Sequence, residues 1–306
     1  MRRLGPAVVI LLLIPSVASA TELSELLEQG RGAGYTAEQV ISCSTPDGVR
    51  DALVRIEQSG AEIRIGAGVP TGTEVSVGAG GWALLHQGGV VEEATITGSS
   101  ATVESPYEVE DLGAESFLGR DATAHRLVRD GVLRAELVFD DETGALVRAV
   151  TFDASGDAYC VRRFVSFDDQ DPMLPMKEPS TLSDVSPVEP VGTTFPESVT
   201  GFSRVDQYED VDGFRFAYYS DGFFSFAVFE APTRVALEEV TTVTFGDRSY
   251  QRVFTAGQAI YSWETRNRGM ALVGDLPPDL HQAVLEALPA PRDPGLFRRI
   301  WRSLFG

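Results

Sequence analysis

The chain has 306 residues, 43% of them hydrophobic, and a formal net charge of −20 from 25 basic and 45 acidic side chains, with Lys177 the only lysine. So acidic a body excludes a nucleic-acid binder, because phosphate recognition needs a basic surface. Two cysteines, Cys43 and Cys160, are too few for a disulfide-rich miniprotein or a four-cysteine zinc site, and His86, His125 and His281 leave little for metal or general-base chemistry.

Residues 1–20 have the layout of a signal peptide. Arg2 and Arg3 precede an apolar run over 8–14, and Ala18-Ser19-Ala20 is a small-residue cleavage site. The apolar run is too short to span a bilayer, which needs about 20 residues. Cleavage before Thr21 would leave a periplasmic protein of net charge −22, with no cysteine at its start to carry a lipid anchor. That compartment permits a Cys43–Cys160 disulfide. Two buried thiols are the alternative.

Leu23, Leu26 and Leu27 are spaced for a short helix over 21–30. From about 36 to 167 the pattern turns to strands. Asp47-Gly48 predicts a hairpin between 39–43 and 52–56, and Gly88-Gly89 another between 82–85 and 90–97. Short segments at 62–65 and 73–77 alternate. Strands at 126–129, 134–139, 146–152 and 159–167 follow, separated by Asp130-Gly131, 141–144 and 153–156. Close turns of this kind predict an antiparallel meander, not alternating βα units. The sheet needs cover on its apolar face, and the first helix and a loop over 98–118 are the expected covers.

Six prolines, from Pro172 to Pro196, punctuate an acidic stretch without periodicity, so 168–194 reads as a linker. A second β-rich unit is predicted over 195–290. Its first strands, 214–219 and 223–229, flank Asp221-Gly222, and their aromatic density reads as core. Strands at 240–245, 252–255, 259–263 and 269–274 follow. Pro277-Pro278-Asp279 then opens a helix with Leu280, Val284, Leu285 and Leu288 on one face. The predicted fold class is therefore α+β, mostly antiparallel: a large curved sheet, a half-barrel covered by helices, beside a smaller β-rich C-terminal domain.

Catalytic signatures are missing. There is no phosphate-binding glycine loop, no G-x-S-x-G and no histidine pair with metal-ligand spacing. The acidic turns at 140–142 and 168–171 lack the glycine and distal glutamate of a calcium loop. A binding or regulatory protein is expected, not an enzyme, with no catalytic residue, metal or cofactor.

Residues 291–306 carry net charge +3, against −25 for 21–290. Leu296, Phe297, Ile300, Trp301, Leu304 and Phe305 would form one helical stripe, with Arg298, Arg299 and Arg302 on the remaining face. Such a helix suits an anionic membrane interface, through Phe297, Arg298, Arg299, Trp301 and Arg302. Docking on the protein's own body and binding a partner are the other two readings.

Two groups of segments resemble the RseB/MucB family. The first runs from Phe117-Leu118-Gly119-Arg120-Asp121 through Leu133 to Asp140, Thr143-Gly144-Ala145-Leu146-Val147-Arg148 and Asp153-Ala154-Ser155-Gly156 to Phe164-Val165-Ser166-Phe167. The second comprises Phe195-Pro196, Gly201-Phe202, Tyr219-Ser220-Asp221-Gly222-Phe223 onward to Phe229, and Val273-Gly274-Asp275-Leu276-Pro277. The resemblance covers about 117–290. It implies a periplasmic negative regulator of an envelope-stress sigma-factor pathway. Such a protein binds the periplasmic part of a membrane anti-sigma factor and shields it from proteolysis, with release by lipid, lipopolysaccharide or lipoprotein. It also implies a lipoprotein-carrier-like domain over 21–167 and a partner surface in the second domain, placed here at Tyr218, Tyr219, Asp221, Phe223 and Phe224. A periplasmic lipid or lipoprotein carrier is the rival reading. A homo-oligomer and association with the inner membrane both remain open.

Overall fold

The computed structural model describes residues 21–46, 48–60, 62–67, 73–78, 81–86, 89–94, 105–173, 195–209, 215–232, 240–255, 258–265 and 268–292. Residues 1–20, where a signal peptide is expected, residues 174–194 and the tail residues Phe297, Arg298, Arg299, Trp301 and Arg302 lie outside them.

After helix α1 (Thr21–Gln29), eleven strands form one antiparallel sheet. Six walk outward by hairpins: β1 (Gly34–Thr45), β2 (Gly48–Ser59), β3 (Glu62–Ala67), β4 (Thr73–Gly78), β5 (Gly81–His86) and β6 (Gly89–Ala94). Five walk inward from the opposite edge: β7 (Glu108–Phe117), β8 (Arg120–Arg129), β9 (Val132–Asp140), β10 (Leu146–Phe152) and β11 (Ala158–Asp168). The two runs meet where β1 pairs with β11. Cys43 and Cys160 face each other across that pairing, with Cα atoms 4.0 Å apart, and are joined by a disulfide 117 residues apart in sequence.

A second antiparallel sheet has eight strands: β12 (Ser198–Val199), β13 (Phe202–Glu209), β14 (Arg215–Ser220), β15 (Ser225–Ala231), β16 (Thr241–Phe245), β17 (Arg248–Thr255), β18 (Gln258–Glu264) and β19 (Gly269–Gly274). Here β15 pairs with β19 at the centre. Helix α2 (Pro278–Ala287) begins with proline at its first turn, where a missing N–H costs nothing. The fold class is thus α+β and mostly antiparallel, and the large sheet is open, with β6 and β7 as its edges.

Three local expectations need correction. The loop predicted over 98–118 contains β7, an edge strand from Glu108 to Phe117. Its acidic, largely exposed sequence and the register shift between Asp111 and Gly113 conceal the alternation. Strand β13 was not anticipated, because a register shift between Arg204 and Asp206 breaks its period of two. Residues 223 and 224 belong to the turn before β15, not to the strand.

The cover of the large sheet also differs from expectation. Leu23 of α1 is buried against one face, as its spacing predicts. The β8–β10 part of that face, including Leu127, Leu137 and Phe139, packs in one continuous core with Tyr219, Phe224 and Phe226 of the second sheet and Val284 and Leu285 of α2. The second sheet therefore covers that part of the first. A separate core is drawn from the first sheet alone, around Tyr35, Ile41, Val54, Ile65, Val138 and Phe164.

Candidate functional site

The sequence Ser220-Asp221-Gly222-Phe223-Phe224 makes the turn between β14 and β15. The Asp221 side chain builds this turn locally. Its Oδ1 accepts the backbone N–H groups of Phe223 at 3.1 Å and Phe224 at 2.9 Å. Gly222 takes φ +94°, and a Cβ there would stand 2.9 Å from the Ser105 side chain. Only glycine meets both conditions.

The other Asp221 oxygen faces the first sheet. Oδ2 accepts the Tyr107 hydroxyl at 2.7 Å and Nη1 of Arg129, from β8, at 2.8 Å. The Tyr107 ring packs edge-on against Phe223 at 5.8 Å and Phe224 at 6.4 Å. Asp221 is fully buried. Burial pushes its carboxyl above its ordinary value, and the hydrogen bonds and the Arg129 charge pull it back without cancelling the rise.

Two further ion pairs cross the same seam. Arg162 of β11 donates to Asp275, just after β19, at 2.8 Å, and Arg134 of β9 donates to Asp279 of α2 at 2.9 Å. In all three pairs the arginine belongs to the first sheet, and the aspartate to a turn or helix attached to the second. Burial raises the Asp275 carboxyl too, against the pull of Arg162. Breaking a buried pair from one side leaves an uncompensated charge, at a cost of about 3–5 kcal/mol. The seam is held in one register by charges that cannot be separated cheaply.

These contacts place most of the expected partner surface inside the chain's own core. Tyr219, Asp221, Phe223 and Phe224 are buried in the shared core, so in this arrangement they offer no face to another protein. Tyr219 stacks on Phe226 at 4.9 Å and donates its hydroxyl to the Pro196 carbonyl. Tyr218 is half-buried, and burial pushes its hydroxyl up to about 12. The reading of this aromatic run as core is the one the structure bears out. A Tyr-Ser-Asp-Gly turn between aromatic strands looks the same whether it packs on a partner or on its own chain. The sequence reading missed Tyr107, Arg129, Arg134 and Arg162. The available signal was a demand for counter-ions: Asp221 and Asp275 lie among apolar residues, where an unpaired carboxylate is costly.

No family model matches the sequence, and no curated protein sequence does either. Solved structures do. The Pseudomonas aeruginosa MucA/MucB complex is similar at 16% identity and TM-score 0.52, over 89% of this chain and 98% of that one. The chain has the MucB fold. A structure of MucB alone superposes at TM-score 0.53 and 15% identity, over 88% of this chain and 98% of MucB. MucB in complex with MucA(peri) gives TM-score 0.50 at 16% identity, over 89% and 98%. MucB is thus matched over nearly its whole length, so the MucB-like architecture here includes both sheets.

Proposed function

We propose that this protein is a periplasmic, non-enzymatic negative regulator. In this reading it binds the periplasmic part of a membrane anti-sigma factor and shields it from proteolysis, and lipid or lipopolysaccharide releases it. The observation that carries the reading is the match to 98% of MucB, a protein solved together with MucA(peri). The sequence motifs in the same order support it. We assign 21–167 and 195–290 to two domains, with 168–194 as the linker. The buried seam favours a partner that reads the relative placement of the two sheets over one that touches the Asp221 turn directly. A carrier needs only the first sheet, and the eight-stranded second sheet is the part that such a function leaves unused.

The test uses the mature chain and the purified periplasmic segment of the membrane anti-sigma factor from the same genome. Calorimetry should give micromolar or tighter binding, and the complex should resist the site-one protease that cleaves the free segment. An absence of binding, with acyl cargo recovered from periplasm instead, would replace the regulator with the carrier.

A further inference from the structure

Beside Asp279, the two sheets leave a cleft of about 440 Å³. This lies in the size range of small-molecule sites. Phe245, Phe254 and Tyr261 of the second sheet line it, together with His281 of α2. Pro46 and Tyr159 of the first sheet line it as well. One wall is aromatic, polar residues including Asp153 and Asp279 complete the lining, and the cleft exists only while both sheets are in place.

Arg252 of β17 lines the cleft and is 7% exposed. Its guanidinium lies 4.6 Å over the Phe254 ring and beside the Tyr261 hydroxyl. Its buried Nε has no hydrogen-bond partner. Among the described residues it makes no ion pair, and the acids around the cleft have other basic or backbone partners. Asp275 takes Arg162, and Asp279 Oδ2 takes Arg134, while the buried Asp279 Oδ1 has no partner. Asp153 Oδ1 accepts the backbone N–H groups of Ser155 and Asp157. His281 Nε2 is buried and unpartnered too, and burial lowers the imidazole to about 3, so it is neutral and does not compete for an anion.

A guanidinium cannot escape burial by losing its proton. Left without a counter-ion it carries a desolvation cost that an anion would remove. Its planar fork matches a carboxylate, while the rings around it suit an apolar body. We propose that this cleft binds a small monoanion, a carboxylate on an aromatic or short aliphatic body, with Arg252 holding the carboxylate and Phe245, Phe254, Tyr261 and Tyr159 enclosing the rest. Because both sheets line the site, an occupied cleft holds them together more firmly than an empty one. The inference is independent of the anti-sigma reading.

Calorimetry on the mature chain at pH 7 tests it, with 3-phenylpropionate and hexanoate as probes, each against its primary amide. The acids should bind at least about ten-fold more tightly than the amides, as a charge-assisted pair requires. The tighter of the two acids identifies the body as aromatic or aliphatic. Arg252→Gln, shown to be folded by circular dichroism, should lose that preference. Equal binding of acid and amide would overturn the proposal. So would a failure of both acids to bind at about 10 mM, or wild-type affinity in folded Arg252→Gln. If Arg252→Gln does not fold, the acid–amide comparison on the unaltered chain decides alone.

Discussion

Asp140 closes the turn after β9, and Asp221 closes the turn after β14. Their ligands are nearly the same. Asp140 accepts the backbone N–H of Thr143 at 2.9 Å and Nε of Arg120 at 2.6 Å. Asp221 accepts two backbone N–H groups, Tyr107 and Arg129. Yet the two carboxyls shift in opposite directions. For Asp140, burial raises the value, but Arg120 and Thr143 outweigh it and the result lies below the ordinary 3.8. For Asp221, burial wins. The difference is depth. Arg120 is a quarter exposed and also holds Glu142 and Asp169, at the surface. The Asp221 cluster lies between two sheets. Similar sets of hydrogen bonds leave a carboxyl lowered at a sheet end and raised at a sheet interface.

The largest test of this contrast removes each carboxyl. Asp221→Ala leaves Arg129 only the exposed Asp130, at 3.7 Å, and strands Tyr107 and two backbone donors, and should cost about 3–5 kcal/mol in urea unfolding. Asp140→Ala leaves Arg120 with Glu142 and Asp169 and should cost about 1–2 kcal/mol. Equal losses would show that depth does not separate them. A smaller effect lies in pH. The Asp140 value is lowered on folding, so its stabilisation is present above about 4 and is lost as pH falls through the folded value. The Asp221 value is raised, so its contribution is fully present below about 4 and is lost as pH rises through the folded value. Urea midpoints between pH 3 and 7 should therefore lose acid sensitivity in Asp140→Asn and lose part of their neutral-side decline in Asp221→Asn. The smallest effect is one hydroxyl. Tyr107→Phe should cost about 1 kcal/mol, and Thr143→Val, nearer water, about half of that.

Much of the architecture was legible. Asx-Gly and Gly-Gly turns between alternating segments marked the hairpins of both sheets, and Pro277-Pro278-Asp279 marked α2. Strands β7 and β13 escaped, where one extra residue turns the alternation out of phase, and so did the two-residue β12. The site was legible by segment but not by role. Asp221 and Asp275 sit in motifs that stood out, and the sequence could not show that each would meet an arginine more than ninety residues away, Arg129 and Arg162. Nor could it show that the second sheet covers the β8–β10 part of the first. Such pairings depend on how the two sheets lie together, which no local pattern encodes.

The meeting of β1 and β11 sets the order in which the large sheet can form. Every other strand in it pairs with a neighbour in sequence, through a hairpin that can close as soon as it is made. β1 pairs early with β2 on one side, but its other edge has no partner until β11, more than one hundred residues later, has been delivered. Loop closure over such a distance is slow compared with hairpin formation. Until then that edge is an open template for any extended chain nearby. The disulfide between Cys43 and Cys160 lies on this last seam, so oxidation would seal the sheet at the point where it is completed.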